Sequence, residues 1–165
     1  MKRIILLLAI AATFLFQGCT TKEEVHADLL AEVFEVRTSF TAANNYSKLI
    51  TLNPPIYNSD MVLVYRLFDV INGQNVWRQL PQAVYIAQGE LDYNFDFTRN
   101  DINLFLESDF DLATLGTAWS QNQVFRVVII PGYFSNKNSA GLDFNNYNAV
   151  IKAFNIKDSQ VKTIQ

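Results

Sequence analysis

From Val33 to Ile130 the sequence repeats one device: a short run that is apolar, or alternates apolar with polar, closed by Asn, Pro, Gly or Asp about every ten residues. Successive side chains on a strand point to opposite faces. Alternation therefore marks a strand buried on one side, and a continuous apolar run marks one buried on both. A chain built this way predicts an all-β fold, an immunoglobulin-like antiparallel β-sandwich of about seven or eight strands.

Val33 to Phe40 sets Phe34, Val36, Thr38 and Phe40 on one face and Glu35, Arg37 and Ser39 on the other. Ala43-Asn44-Asn45 turns the chain into a strand over 46–52, which Asn53-Pro54-Pro55 ends. The run DMVLVYRLFDV at 60–70 is apolar on both faces at its start and belongs in the middle of a sheet. Asn72-Gly73 is a strong hairpin signal, since a tight turn needs residues that tolerate positive φ. Strands follow over 76–80 and 84–87, interrupted by Pro81. Gln88-Gly89-Glu90 then turns into the clearest alternation, Leu91, Tyr93, Phe95 and Phe97 against Asp92, Asn94 and Asp96. Residues 102–107 read as a further strand or one helical turn. QVFRVVII at 123–130 is a second run buried on both faces, stopped by Pro131-Gly132.

One amphipathic helix is predicted near 143–154. Asp143 stands as its N-cap, and Phe144, Tyr147, Ile151 and Phe154 recur at helical spacing, with Asn145, Asn146, Asn148 and Lys152 opposite. Its apolar stripe is expected to cover an open edge or end of the sandwich, where it would keep strand edges from pairing with other chains.

The chain begins differently. Lys2-Arg3, an apolar run from Ile4 to Phe16, and Gln17-Gly18-Cys19 have the layout of an export signal. A run of thirteen residues falls short of the roughly 20 that a membrane-spanning helix needs. Cys19, the only cysteine, follows a small residue at the end of that run, where a lipoprotein signal peptidase cuts. Its thiol would become a thioether to diacylglycerol and its new amino group could be acylated. Two or three acyl chains, at about 0.8 kcal/mol per buried methylene, anchor a protein durably. The expected organisation is a signal peptide at 1–18, a lipidated tether at 19–32 and a single domain at 33–165. Beyond the covalent diacylglycerol at Cys19, no cofactor is expected.

Removing residues 1–18 leaves 147 residues, suited to one domain. Loss of Lys2 and Arg3 leaves eleven basic residues against sixteen acidic ones, a net charge of −5. A mildly acidic chain without a Lys/Arg cluster has no electrostatic footprint for nucleic acid. With Cys19 given to lipid, disulfides and thiolate metal sites are excluded, and no metal is expected.

After Cys19, Thr20-Thr21-Lys22-Glu23-Glu24 resembles the short acidic signal that sends many Bacteroidetes lipoproteins to the outer face of the outer membrane. VFEVRTSFTAANNYS (33–47), DMVLVYRLFDV (60–70), GELDYNFDFTRNDINLFLE (89–107), QNQVFRVVIIPGYF (121–134) and FNNYNAVIKAFNI (144–156) resemble a group of small uncharacterised lipoproteins of flavobacteria and related Bacteroidetes. The resemblance implies an outer-membrane, lipid-anchored location, surface-facing or periplasmic, and carries no catalytic residues. Members of that group are sometimes labelled dihydrolipoamide dehydrogenase. That label fails here: Gly73, Gly89, Gly116, Gly132 and Gly141 never approach the G-x-G-x-x-G spacing, and a redox-active cysteine pair is absent from the sequence.

His26, the only histidine, falls in the tether, where no scaffold would lock it for a nucleophile-histidine device or a zinc site. Asp92, Asp96, Asp109 and Asp111 are hard oxygen ligands that could hold calcium, although their spacing matches no EF-hand loop. A solvated strand face and a turn is the plainer reading of these four. Trp77 and Trp119, each among polar neighbours, are candidates for an aromatic platform for sugar rings, with Tyr57, Tyr65, Tyr85 and Tyr133 as further aromatics. The reading that follows is a non-enzymatic envelope lipoprotein, held to the membrane by its lipid, that binds an envelope protein or serves the envelope structurally. A carbohydrate-binding lipoprotein using surface aromatics is the first alternative, and a small carboxylate-dependent hydrolase the second.

Overall fold

A computed structural model of the chain describes residues 31–133 and 141–164. Cys19 and His26 lie outside the described residues. The fold is an all-β sandwich. Its strands are β1 (Glu32–Thr38), β2 (Ser47–Thr51), β3 (Met61–Ile71), β4 (Gln74–Gln79), β5 (Gln82–Ile86), β6 (Gly89–Phe97), β7 (Asp101–Ser108), β8 (Gln123–Ile130) and β9 (Lys162–Ile164). One sheet runs β4-β3-β8-β1-β9 and the other β2-β7-β6-β5.

The described residues thus form nine strands, against an expectation of seven or eight. The extra one, β9, is three exposed residues too short to leave a periodic signal. It also departs from the antiparallel expectation, pairing in parallel with β1 through Phe34↔Lys162 and Val36↔Ile164. Residues 102–107 belong to strand β7. Asn72 and Gly73 both adopt positive φ, 51° and 76°, as the β3–β4 hairpin requires. Pro81 lies where the chain passes from β4 in one sheet to β5 in the other.

The two runs read as buried on both faces occupy the middle of the five-stranded sheet, and they are covered on both sides. Val62 and Val64 of β3, with Phe125 and Val127 of β8, face the second sheet and meet Leu91, Tyr93, Ile102 and Leu104. Phe40 joins them, its ring edge-on to Phe125 at 5.9 Å between centroids. The alternate residues Leu63, Tyr65, Val128 and Ile130 form a second core with Tyr147 and Val150 on the outer face. Burying each large apolar side chain stabilises the fold by about 1.5–3 kcal/mol, so both faces of this sheet are strongly held.

That second core corrects the helix. It spans Tyr147–Ala153, not 143–154, and it covers the outer face of the sheet beside edge strand β4. Asp143 does not cap it. The Asp143 carboxylate accepts from the backbone N–H of Asn145 at 3.0 Å, and the Asp143 carbonyl accepts from Asn146 N–H at 3.1 Å, which closes a turn. Asn146 is the N-cap, its side-chain oxygen accepting from Ala149 N–H at 3.1 Å. An outer face as apolar as Leu63, Val128 and Ile130 needs a cover more than an edge does.

Candidate functional site

The site grows from a row of residues set by register on that outer face. Tyr65 of β3 lies opposite Arg126 of β8, which lies opposite Glu35 of β1. Arg126 is buried, and it forms ion pairs with Glu35, at 3.5 Å from Nε, and with Asp158, which follows the helix. Its Nη1 also donates to the Tyr147 hydroxyl at 2.6 Å, and that hydroxyl donates to Asp158 at 2.7 Å. Burial first, and then the hydrogen bond to Asp158, push the Tyr147 hydroxyl well above the ordinary tyrosine range. The Arg126 guanidinium lies 4.4 Å from the centroid of the Trp77 ring, and the Tyr147 ring lies 5.5 Å from it.

Tyr65 anchors the segment before the helix by donating its hydroxyl to the Phe144 carbonyl at 2.6 Å. Its own pKa is raised, chiefly by burial. Held at Phe144 and turned by Asp143, the segment stands away from edge strand β4 and leaves a cleft of about 410 Å³. Trp77 and Tyr147 line it together with Asn75, Asp143, Asn145, Asn146 and Asn148. Asn75 and Trp77 are two apart on β4, the spacing that puts side chains on one strand face. The arrangement offers two aromatic side chains, Trp77 and Tyr147, several amides and a single carboxylate.

A second polar cluster lies between the sheets. Arg66 is buried, and its Nε and Nη2 donate to the Gln123 side-chain oxygen at 2.9 and 2.7 Å. Its guanidinium sits 4.0 Å from the Tyr93 ring centroid and 5.9 Å from that of Trp119. Burial lowers its pKa from the usual arginine value. Tyr93 donates its hydroxyl to the Trp119 carbonyl, fixing the short helix Thr117–Ser120 over the end of the inner core.

The structure therefore separates the two tryptophans. Trp77 packs on the outer core and Trp119 on the inner one, so they do not form a common platform. Tyr65 is buried, while Tyr57, Tyr85 and Tyr133 are exposed and line no part of the cleft. The four aspartates proposed for calcium are not brought together either. Asp109 accepts from Glu90 N–H at 2.8 Å, and Asp111 caps a 3₁₀ turn by accepting from Ala113 N–H at 2.9 Å. Asp92 and Asp96 stand on β6 opposite Glu107 and Asn103. Among the described residues no three His, Cys, Asp or Glu side chains are placed to hold a metal ion.

Sequence reasoning missed the cleft's polar side. Asn145, Asn146 and Asn148 read as the solvent face of a longer helix, yet three asparagines in four residues ahead of an apolar stripe are better suited to caps and loops. It also missed Arg126, whose signal was present: a charge inside QVFRVVII must be buried and partnered. Compared with family models, curated proteins and solved structures, the chain matches none.

Proposed function

We propose that the chain is a lipid-anchored protein of the outer membrane whose sandwich domain binds a partner and catalyses no reaction. The anchoring half rests on the export layout ending at Cys19 and on the resemblance to lipoproteins of flavobacteria and related Bacteroidetes. The binding half rests on one observation, the composition of the cleft beside Trp77. Its polar side chains are asparagine amides around one carboxylate, Asp143. Amides donate and accept hydrogen bonds without transferring protons, so they hold a ligand and leave it unchanged. A carboxylate-dependent hydrolase needs two acids across a cleft, and here Asp143 is the one acid among amides, Trp77 and Tyr147.

Cell fractionation with pull-down from native envelopes tests both halves on the full-length protein. Wild type should enter the detergent phase and recover a stoichiometric envelope component, Cys19→Ser should leave the membrane fraction, and Asn148→Arg should abolish recovery while the fold persists. Membrane retention of Cys19→Ser would overturn the anchor. Recovery unchanged by Asn148→Arg would overturn the assignment of the cleft.

A further inference from the structure

We propose that the Trp77 cleft binds a neutral saccharide, with a sugar ring stacked on the indole and its hydroxyls held by Asn75 and Asn148. The inference rests on the reading of this domain as a binding module and names its ligand class.

The platform is pre-organised. Trp77 is held by the Arg126 guanidinium and by Tyr147, which lines the cleft with it, yet is only half buried. A ring fixed before binding loses little freedom on binding, which favours even a small ligand. The C–H face of a pyranose needs a flat apolar surface, and an aromatic ring offers one.

The amides fit the same chemistry. Asn75 sits on β4 and Asn148 in the first turn of the helix, on the two walls of the cleft. Both are exposed, and neither amide is engaged by another described side chain or backbone group. An amide presents a donor beside an acceptor, and so pairs with neighbouring hydroxyls, each of which can do both. Asn145 is oriented by its Nδ2 donating to Asp143 at 3.1 Å, leaving its oxygen as an acceptor.

Charge selects neutrality. Arg126, the cation beneath the ring, is already shared between Glu35 and Asp158, and Asp143 would repel an anion. A divalent cation would want six or more oxygens and several carboxylates, not one. The volume, about 410 Å³, lies within the range of small-molecule sites.

The test is calorimetric titration of the full-length lipidated protein in phosphatidylcholine nanodiscs with cello-, xylo-, manno-, malto- and chito-oligosaccharides, and with polygalacturonate as an acidic probe. At least one neutral probe should bind one to one, weakened about tenfold or more by Asn75→Leu or Asn148→Leu and lost in Trp77→Ala. Tyr85→Ala, on the other sheet, should bind as wild type. The two asparagine variants keep the test alive should Trp77→Ala fail to fold. Silence with every neutral probe, preference for polygalacturonate, or binding that survives both asparagine changes would overturn the inference. If the neutral probes are silent while envelope pull-down remains sensitive to Asn148→Arg, the binding-module reading stands without the saccharide. If both are empty, the two fall together.

Discussion

Tyr93 couples stability to alkaline pH in a way that removal of a single hydroxyl can isolate. The side chain is fully buried, donates its hydroxyl to the Trp119 carbonyl and lies 4.0 Å beneath the Arg66 guanidinium. Burial pushes its pKa up to about 12 from 10.0, against the opposing pull of Arg66. The folded value lies above the unfolded one. The protonated hydroxyl's contribution is therefore complete below pH 10 and is lost as pH rises towards the folded value. Two pH units correspond to about 2.7 kcal/mol, of which about 1.4 kcal/mol is gone at about pH 11. Tyr93→Phe gives up the hydrogen bond, about 1 kcal/mol at neutral pH, but has nothing to titrate there. The two proteins should converge above pH 10 and exchange order near pH 11 or a little below. Tyr65 and Tyr147, also raised, make both lose stability together, so the difference reports Tyr93 alone. Urea unfolding at a series of pH values, with phenolate absorbance as a second probe, measures it. Two stability curves falling in parallel from pH 9 to about 11.5 would refute the reasoning.

Two further changes probe the scaffold. Arg126→Met should cost about 3 kcal/mol in urea unfolding, because it takes the buried cation from the largely buried Glu35 and a donor from the Tyr147 hydroxyl; the Asp158 share is small, since that side chain is 50% exposed. A loss under about 1 kcal/mol would mean that the network is ornamental to the outer core. Gly89→Ala should cost about 1–3 kcal/mol, since Gly89 holds φ at +148° and an added Cβ would fall 2.1 Å from the Asp109 carboxylate oxygen. Thermal unfolding of Gly89→Ala beside Gly73→Ala, where nothing lies within 4 Å, separates collision from backbone strain, and equal losses in both would refute the collision.

What could be read from the sequence was what periodicity encodes. Leu91 and Tyr93 against Asp92 and Asn94 fell on the predicted faces, and the two uninterrupted apolar runs fell in the sheet centre. Strand β9 was illegible because three residues have no period, and its pairing with β1 depends on where the chain returns after the helix. The helix start was misjudged because Asp143 and Asn146 both resemble caps. The choice between them depends on Tyr65, 79 positions away from Phe144, pinning the chain before it can coil. Trp77 was singled out for its polar neighbours, and the structure gives it the cleft; Trp119 had the same kind of neighbours but folds onto the inner core. Local polarity does not distinguish the two, since the sheet face that each reaches is set by tertiary register.

The two arginines show how far parity alone can go. In DMVLVYRLFDV, Arg66 shares its face with Val62 and Val64, and in QVFRVVII, Arg126 shares its face with Val128. Register sets Tyr65 beside Arg126 and Arg66 beside Phe125, so the cations occupy neighbouring strands and point to opposite sides of one sheet. The inner one, enclosed by the second sheet, is met by Gln123, Gln82 and the Tyr93 ring, without a carboxylate. Such a charge is costly to bury, which is why its pKa falls, and it confines Arg66 to a structural role at the end of the core. The outer one lies under the helix, where Asp158 can reach it from solvent and Glu35 from the next strand. Its compensation by two acids draws Tyr147 and the segment after the helix onto the sheet, and its guanidinium lies against the Trp77 ring. The cleft is thus a consequence of where a single buried charge found its partners.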